Sequence, residues 1–527
     1  MTLLPAQHWA YSFSIGAEDI DSITNLLLEK EMPLSSVELA TAIIRLREEN
    51  IKLQLEQQYE GTKIYQPCGS FAVGDRLTFA QMNYRTATIV GLRDGKYKNV
   101  GPFKVAAVAF DDAASLSDAR PREFATEYNG EHPLNNPDTN HHPGNSHSEF
   151  TVEDIVNAPE VTIIQQVNDA LEKNPDLVRI AGTWFVRELM QEVDIGHMHL
   201  SEAVLDMHGG GPMGPDEILE QIGGLGDSPN PLQVFSLNYA MNRDERFDEV
   251  GPAGVILWHL TRLLPRMVRQ VPKILQYLPV EYDRSLLRNE MLQLEYDLDD
   301  EHSPLKSAPP DDEVSITLTY PHRRVGTLPI NSETRHVFPD AKTPRIAITI
   351  IDTLDKEEYP CWVVHRFKYV YGLAALYQKH HLPVGAYVYL NRTGDPSRFE
   401  IEFDNYRPRT EWIPVVESTK KDQLHFGTAK RAIGADYDDM IIVGVNVLSE
   451  VDRLGKDVQN KQLPLAKLLR SLISELSKQN PQKSVHAKVL YSTINILRRC
   501  PPGPICATLV ANPEFEYVGG NYWKLSE

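Results

Sequence analysis

The chain has 527 residues, of which 42% are hydrophobic and 24% are charged, a composition that excludes collagen, a long coiled coil and a wholly disordered chain. Its 73 acidic and 53 basic residues give a net charge of −20 at pH 7, which excludes binding of polyanions over the whole surface. Any contact with nucleic acid must therefore come from a local basic patch.

The sequence favours a cytoplasmic protein. It contains no run of about 18 apolar residues, so we expect no membrane span. The N-terminus lacks the basic and then apolar pattern of a secretory signal. Cys68, Cys361, Cys500 and Cys506 are scattered, and no second pair completes a zinc site, so we expect reduced thiols.

The first 150 residues predict a helical unit, a small β-barrel and a linker. Residues 1–60 have helical periodicity, and Ser35 with Glu38 has the spacing of a capping box. This unit fits a helix-turn-helix or any helical hairpin. Residues 61–129 alternate with the period of short strands, and residues 130–150 are a polar Asn/Pro/His linker.

The predicted small barrel carries basic residues near its turns, namely Arg85, Arg93, Lys96 and Lys98. Small barrels of this kind resemble those of transcription-elongation factors, and the resemblance implies binding to RNA polymerase or nucleic acid. The alternative is that these turns are simply solvated.

Three later segments share a pattern in which a helix is followed by a short strand, a glycine turn and a strand with an aromatic residue. They are LEKNPDLVRIAGTWFVREL at 171–189, NRDERFDEVGPAGVILW at 242–258 and LVANPEFEYVGGNYWKLSE at 509–527. The alignment equates Gly182 with Gly520 and Phe185 with Trp523, and the middle copy inserts three residues before Trp258. The pattern predicts the wing of a winged helix-turn-helix, with the aromatic residue folded back on the helices.

Residues 463–527 resemble winged-helix domains of the HARE type, which end in an F-x-x-V-G…W hairpin and occur in bacterial transcription and DNA-modification proteins. The resemblance is weaker for residues 151–190 and 196–262. It implies winged-helix units at 151–195, 196–262 and 456–527. The unit at 196–262 has ten acids and three arginines, so we expect it to dock protein rather than DNA, or to act as a spacer.

Residues 263–313 are predicted to form a helical connector followed by an acidic linker. Arg262, Arg266, Arg269 and Lys273 have helical spacing and would form a basic ridge, but Pro265 and Pro272 interrupt the helix. Residues 295–313 hold eight acids, one lysine and three prolines, the composition of a solvated linker.

Residues 314–455 are β-rich and predict a barrel-like domain. A helix at 373–381 precedes Leu382-Pro383-Val384-Gly385 and another strand. That arrangement is similar to the DNA-binding pseudobarrel of plant transcription factors and some restriction enzymes. The alternative is an antiparallel barrel or sandwich without that function.

The C-terminal residues 456–527 hold ten basic and five acidic residues, a local net charge of +5 inside a chain of −20. A helix over 484–497 would place polar side chains on one solvent face. We predict that Lys488, Tyr491, Ser492 and Asn495 face a DNA groove, and that Arg498 and Arg499 bind backbone phosphates. Lys483, at the other end of the helix, completes the predicted DNA-binding set. The alternative is a solvated amphipathic helix.

No residue set identifies a reaction. The acids at 436, 438 and 439, and those at 352 and 355, could bind Mg²⁺, but no nuclease, kinase or hydrolase motif accompanies them, and the histidines lack metal-site spacing. We therefore expect no cofactor and no metal.

The sequence predicts a modular α+β protein in which winged-helix modules accompany a small β-barrel and a larger barrel-like domain. The function that we expect is non-enzymatic: DNA binding or transcription regulation through the C-terminal winged helix. One alternative is an acidic scaffold or RNA-polymerase-associated factor whose winged helices dock protein. Another is a nucleic-acid enzyme with an unrecognised site.

Overall fold

The structure is a computed structural model with two compact units, Met1–Met190 and Gln191–Glu527. It describes residues 13–58, 61–79, 82, 85–97, 101–111, 121–130, 132, 135, 163–309, 311, 313–339, 343–404, 409–418 and 424–526. Lys98, most of the predicted linker at 130–150 and residues 151–162 of the predicted unit 151–195 lie outside these residues. Among the described helices, none is long and apolar enough to span a bilayer.

The first unit contains three helices and eight strands among the described residues. In chain order they are α1 (Ala17–Lys30), β1 (Leu34–Ser35), α2 (Ser36–Gln58), β2 (Lys63–Ile64), β3 (Arg76–Phe79), β4 (Arg85–Asp94), β5 (Lys104–Phe110), β6 (Arg122–Thr126), α3 (Ile163–Leu171), β7 (Leu177–Ile180) and β8 (Thr183–Val186).

The first module of the fold is assembled from two distant parts of this unit. β1 pairs with β8, which pairs with β7. The strand between α1 and α2 therefore belongs to the same sheet as the hairpin after residue 175. Ser36 Oγ donates to Asn168 Oδ1 at 2.6 Å in the buried interior. The predicted separation of 1–60 from 151–195 is therefore wrong, because the pairing partner of β1 lies about 150 residues later.

The predicted β-rich segment 61–129 forms a five-stranded sheet in the order β2-β3-β4-β5-β6. Leu77, Phe79, Ile89 and Val108 form its buried core. The basic turn residues are engaged locally: Arg93 pairs with Glu123 at 2.5 Å, and the Arg85 guanidinium lies 4.4 Å from the centre of the Phe110 ring. These contacts favour the structural alternative for two of the four basic residues.

The second unit contains eleven further α-helices and fifteen further strands among the described residues, joined by short 3-10 turns. They are α4 (Ile195–Met207), α5 (Pro215–Ile222), α6 (Asn230–Met241), β9 (Phe247–Glu249), β10 (Trp258–Leu260), α7 (Arg266–Arg269), α8 (Asn289–Leu298), β11 (Glu313–Thr317), α9 (Tyr320–Val325), β12 (Thr327–Pro329), β13 (Arg345–Asp352), β14 (Glu358–Val364), β15 (Tyr369–Tyr371), α10 (Ala374–Lys379), β16 (Tyr387–Arg392), β17 (Arg398–Glu402), β18 (Arg409–Ser418), β19 (Leu424–Ile433), β20 (Gly444–Val445), α11 (Leu448–Asn460), α12 (Leu465–Leu476), β21 (Val485–His486), α13 (Ala487–Leu497), α14 (Pro502–Ala511), β22 (Phe515–Gly519) and β23 (Tyr522–Leu525).

A helix–strand–helix–helix–strand–strand order occurs three times. The first module comprises α1 to α3 with β1, β7 and β8; the second spans 195–260; and the third spans 465–525. In the second module a single bridge at Met213 takes the place of the first strand. In all three, the last strand lies between the first strand and the middle one. The hairpins predicted at the three sequence repeats are confirmed.

The equivalent aromatic residues are tryptophans at the centre of each small sheet. Trp184, Trp258 and Trp523 each pair with the residue that lies two positions before the second helix of the module, and each is at most 2% exposed. The predicted match of Phe185 with Trp523 is therefore wrong by one residue. The cause is that the third hairpin has an irregular register between Tyr517 and Gly519, which a gap-free alignment cannot represent.

In the first two modules, an asparagine on the third helix accepts a hydrogen bond from the indole N–H of this tryptophan. Asn168 and Asn238 accept the indole N–H of the first and second modules at 3.1 and 2.7 Å. Cys506 occupies the corresponding position of the third module, three residues before the last buried leucine of the helix. The Trp523 indole N–H has no partner among the described residues. A buried amide thus completes two of the three cores.

The largest sheet has seven strands in the order β11-β16-β17-β13-β14-β15-β12, antiparallel except where β13 meets β17. Inward residues of both edge strands, including Val314 and Leu328, share one core with central residues such as Ile348 and Val363. The two edges can meet in one core only if the sheet curls, so it forms a half-barrel. α9 follows β11, and α10 follows β15.

The second module packs on the outer face of this half-barrel. The Ala347 amide donates to the Val250 carbonyl at 2.8 Å, and Arg345 pairs with Asp248 at 2.7 Å. Trp362 lies edge-on to His259 with ring centres 5.1 Å apart. The acidic module therefore already uses its hairpin for a contact with protein inside its own unit.

Candidate functional site

The predicted DNA-contacting face of α13 is buried, which makes this part of the prediction wrong. Tyr491, Asn495 and Arg499 are each 1% exposed, and Ser492 is 5% exposed. Both the apolar and the polar sides of the helix face protein, so these side chains cannot reach a DNA groove in this structure.

The polar groups of this helix are used inside the fold. Ser492 Oγ donates to the Ile441 carbonyl at 2.6 Å. The Asn495 amide donates to the Tyr491 and Cys500 carbonyls, both at 2.9 Å, and accepts from Arg499 Nη1 at 2.8 Å. Buried polar groups need such partners, because an unsatisfied one costs about 1–3 kcal/mol.

The other three predicted site residues do not form a common basic surface with them. Lys483 is exposed in the turn before α13, whereas Lys488 is half-buried and its Nζ lies 2.8 Å from Asp438. Arg498 is half-buried and donates to the Leu463 carbonyl at 3.2 Å. Only Lys483 keeps the exposure that phosphate binding requires.

Acids from the segment predicted as a linker neutralise the buried arginine. Arg499 Nη2 lies 2.7 Å from Asp300 and 2.6 Å from Glu301, and its Nε donates to Glu301 at 3.2 Å. Tyr491 donates to Asp300 at 2.6 Å, and His322 Nε2 lies 3.2 Å from Glu301. The contacts join α13, α9 and residues 300–301 in one ionic cluster.

The interpretation of residues 295–301 as a solvated linker is therefore wrong. Glu295, Asp299, Asp300 and Glu301 are all buried, with exposures between 1% and 8%. Glu295 pairs with Arg284 at 2.7 Å. The density of acids suggested solvation, but these acids are fixed by cations and amides that lie elsewhere in the sequence.

Contacts within the ionic cluster shift the pKa values of Glu301, Arg499 and Tyr491. Burial disfavours the charged forms, but the Arg499 guanidinium and His322 outweigh it and hold the pKa of Glu301 well below its usual value. Burial acts against Arg499 too, yet Asp300 and Glu301 raise its pKa well above the usual value. Burial, and then the charge of Asp300, raises the pKa of Tyr491. The directions for Glu301 and Arg499 both favour the charged forms, as expected of a buried ion pair.

The basic connector has the interruption that its prolines predicted. The helix α7 is confined to Arg266–Arg269, between Pro265 and Pro272, and a short 3-10 turn begins at Lys273. Arg262 lies outside this helix and pairs with Asp206 at 2.8 Å. A continuous four-residue ridge therefore does not form.

What remains is a smaller set of exposed cations, which we call the basic surface: Arg266, Arg269, Lys273 and Arg366. Val268, at the centre of α7, is buried against Tyr369 of β15, whose hydroxyl donates to the Met267 carbonyl at 2.5 Å. Phe367, next to Arg366, packs against the same cluster. The turn between β14 and β15 thus adjoins the connector.

The basic surface lies in an unusual part of the sequence. Residues 250–280 contain four Lys and Arg residues and no Asp or Glu. None of the four members of the basic surface has an ion pair with an acid in the described part of the chain. In a chain with a net charge of −20, these cations are therefore available to an external anion.

The acidic clusters noted in the sequence have different surroundings. Asp436 pairs with Arg409 at 3.1 Å, and Asp438 pairs with Lys488, so both serve the fold. Asp352 and Asp355 meet His380, with ligand atoms within 4.8 Å of one another, the single such group among the described residues that could hold a metal ion.

The possible ligand atoms of this group already form two ion pairs. His380 Nε2 lies 2.5 Å from the buried Asp352, and Lys379 pairs with Asp355. The sequence pattern indicated the two aspartates but not His380, because His380 follows the end of α10, 25 residues beyond Asp355. A cation would have to displace Lys379 to use all three ligands.

The comparisons with known proteins provide no assignment. No protein-family model matches the chain, and neither a curated protein nor a solved structure matches it significantly.

Proposed function

We propose that this protein is a non-enzymatic, multi-module nucleic-acid-binding protein that contacts the phosphates of duplex DNA with the basic surface. The observation that carries the proposal is the exposure of the four cations of the basic surface. Three of them lie within the acid-free stretch of 31 residues, 250–280, and Arg366 lies on the adjoining turn. Phosphate contacts supply most of the sequence-independent affinity of DNA-binding proteins, and they need unpaired Arg and Lys side chains.

The topology supports this class of function because the modules and the half-barrel have the element orders of the DNA-binding folds proposed for them. We infer that the three repeated modules are winged-helix units, because they share one element order and one strand order. The half-barrel has the element order β-α-β-β-β-β-α-β-β, with a helix after its first and fifth strands, which fits the proposed DNA-binding pseudobarrel. In the third module α14 lacks charged residues and is mostly buried, so this module would position other parts rather than bind phosphate.

The proposal is tested by titrating a fluorescent 20-base-pair duplex with the full chain at several salt concentrations. Four phosphate contacts predict a slope of log K against log salt of about −3.6. The variant Arg266→Ala/Arg269→Ala/Lys273→Ala should reduce the size of that slope by about 2.7. The matched control is Lys456→Ala/Lys461→Ala/Lys467→Ala, which removes three exposed lysines elsewhere.

An unchanged slope in the connector variant, or an equal change in the control, would contradict the proposal. Absence of salt-sensitive binding by the unaltered chain at low ionic strength would also contradict it, and would favour the second candidate function.

The second candidate is an acidic scaffold that docks protein. It is favoured by the contact of the second module with the half-barrel through Asp248 and Val250, and by the net charge of −20. In that case Asp248→Asn should weaken the packing of the module and increase proteolysis near 250–260, with no effect on DNA binding.

A further inference from the structure

A polar cavity of about 320 Å³ lies where the end of α8 meets the open edge of the half-barrel. Its walls come from residues 296–301, from β11 and the residues after it, from the segment that follows β12, and from single residues of β16 and α13. A volume near the lower end of the range of small-molecule sites suits a ligand of modest size. Neither the sequence nor the proposed function assigns a role to this cavity.

Two neighbouring carboxylates in the wall lack a compensating cation. Asp299 accepts the backbone amides of Ser332 and Glu333, both at 3.2 Å, and has no basic partner in the described residues. The half-buried side chain of Glu333 has no hydrogen bond or ion pair with any described residue. Burial raises the pKa of both carboxyl groups, and the charge of Asp299 raises that of Glu333 further. The pair would be stabilised by a positive charge.

A second feature of the wall points to a ligand independently of these acids. Thr319 is 8% exposed, borders the cavity, and its hydroxyl has no hydrogen-bond partner in the described part of the chain. A buried hydroxyl without a partner costs about 1–3 kcal/mol, so such groups are normally satisfied by protein, water or ligand. A donor in the cavity would satisfy it.

The described residues of the cavity wall do not form a group of three ligands that could hold a metal ion. The one group of described ligand atoms close enough to hold an ion is Asp352, Asp355 and His380, and none of these residues borders the cavity. A metal needs several ligand atoms around one point, whereas a chain of amines can place its charges several ångströms apart. Tyr296 and Tyr387 add aromatic walls, which attract ammonium groups.

We propose that this cavity binds a linear polyamine, with one ammonium group between Asp299 and Glu333 and with Thr319 accepting a hydrogen bond from the ligand. The half-barrel then contributes a binding site for an organic cation in addition to the proposed nucleic-acid surface. The two proposals are independent, because none of the four cations of the basic surface borders the cavity.

The test is isothermal titration calorimetry of the full chain with spermidine in 150 mM NaCl, and with MgCl₂ in place of spermidine. We expect saturable binding of one spermidine and no saturable binding of magnesium. Glu333→Gln should weaken spermidine binding about tenfold, the effect of removing one charge-assisted hydrogen bond. Because this side chain has no partner within the described fold, the variant should fold normally.

Thr319→Val should also weaken spermidine binding, whereas the matched control Glu402→Gln, which removes an exposed carboxylate of β17, should leave it unchanged. Loss of the same size in the control would show that spermidine responds to the general acidity of the chain, and would overturn the proposal. Equal affinity for N-acetyl-lysine amide, or no saturable spermidine binding, would overturn it as well.

Discussion

The region of α13 and the connector both carry basic residues in an acidic chain, but the first set is neutralised by acids whereas the second is exposed and unpaired in the described chain. Arg499, two residues after the end of α13, is enclosed by Asp300 and Glu301, and Lys488 of α13 is paired with Asp438. On the connector, Arg266 and Arg269 face solvent without an acid beside them. The difference teaches that local positive charge does not identify a phosphate-binding surface. The deciding factor is whether acids from other parts of the chain form ion pairs with these cations in the folded structure.

The largest effect should come from Arg499→Met. It leaves two buried carboxylates without their cation, so we expect the free energy of unfolding to fall by about 3–5 kcal/mol. Urea denaturation followed by tryptophan fluorescence measures the change, with Lys467→Met as an exposed control. Adding Asp300→Asn and Glu301→Gln should recover much of the loss. A cost no larger than that of the control would contradict the role of the ionic cluster.

The same cluster predicts a dependence of stability on pH. The pKa of Glu301 is held well below the usual 4.5 in the folded chain, so its contribution is present above that value and is lost as the pH falls through the folded pKa. The stability advantage of the unaltered chain over Glu301→Gln should therefore shrink as the pH is lowered below 4.5. An advantage that grows toward acid pH would reverse the sign and refute the assignment.

Asn495→Ala should have an intermediate effect. It removes an amide that binds the Tyr491 and Cys500 carbonyls and the Arg499 guanidinium. Arg499 keeps its two carboxylates, so we expect a loss of about 1–3 kcal/mol, the cost of one unsatisfied buried group. Thermal unfolding should show a clear decrease relative to Asn460→Ala, which changes an exposed residue at the end of α11. A neutral result would mean that α13 is not held by this network.

Lys488→Ala tests directly which of the two regions binds DNA. The ion pair with Asp438 is partly exposed, so its loss should cost about 1 kcal/mol or less. Affinity for duplex DNA should not change, because Lys488 is already neutralised. Salt-dependent fluorescence anisotropy provides the measurement, and a drop in affinity as large as that of Lys273→Ala would restore α13 as the DNA-binding element.

The smallest effect on stability should come from Arg266→Ala. The side chain is exposed and makes no ion pair within the described chain, so unfolding should change by no more than about 0.5 kcal/mol. The same variant should nevertheless reduce DNA affinity and the size of its salt slope. If it destabilises the chain as much as Asn495→Ala does, Arg266 is structural and the contrast between the two regions fails.

Several features were predictable because they depend on short stretches of chain. The capping box is confirmed: the Ser35 amide donates to Glu38 at 2.7 Å, and the Glu38 amide donates to Ser35 at 3.2 Å. The breaks around α7 follow from Pro265 and Pro272, which cannot occupy a helix interior. The three hairpins follow from glycine turns between apolar residues.

Other features could not be predicted, because residues far apart in the sequence decide them. The joining of β1 to β8 needs a pairing across about 150 residues, and no local pattern marks it. The six-residue helix α9 is too short to show helical periodicity. The helix α11 is also absent from the predicted elements, although Val451, Leu454 and Val458 lie on one buried face at helical spacing. The polyamine cavity combines Asp299, Thr319 and Glu333, whose roles appear only when the half-barrel closes beside α8.

By itself the sequence determined the net charge, the repeated hairpins and the position of the acid-free stretch 250–280, since these depend on composition and on neighbouring residues. Only the tertiary structure decided which cations are neutralised and which remain exposed. The physical reason is that ion pairing and burial depend on distance in space. Asp300 and Arg499 are separated by 199 positions along the chain, yet their charged atoms lie 2.7 Å apart.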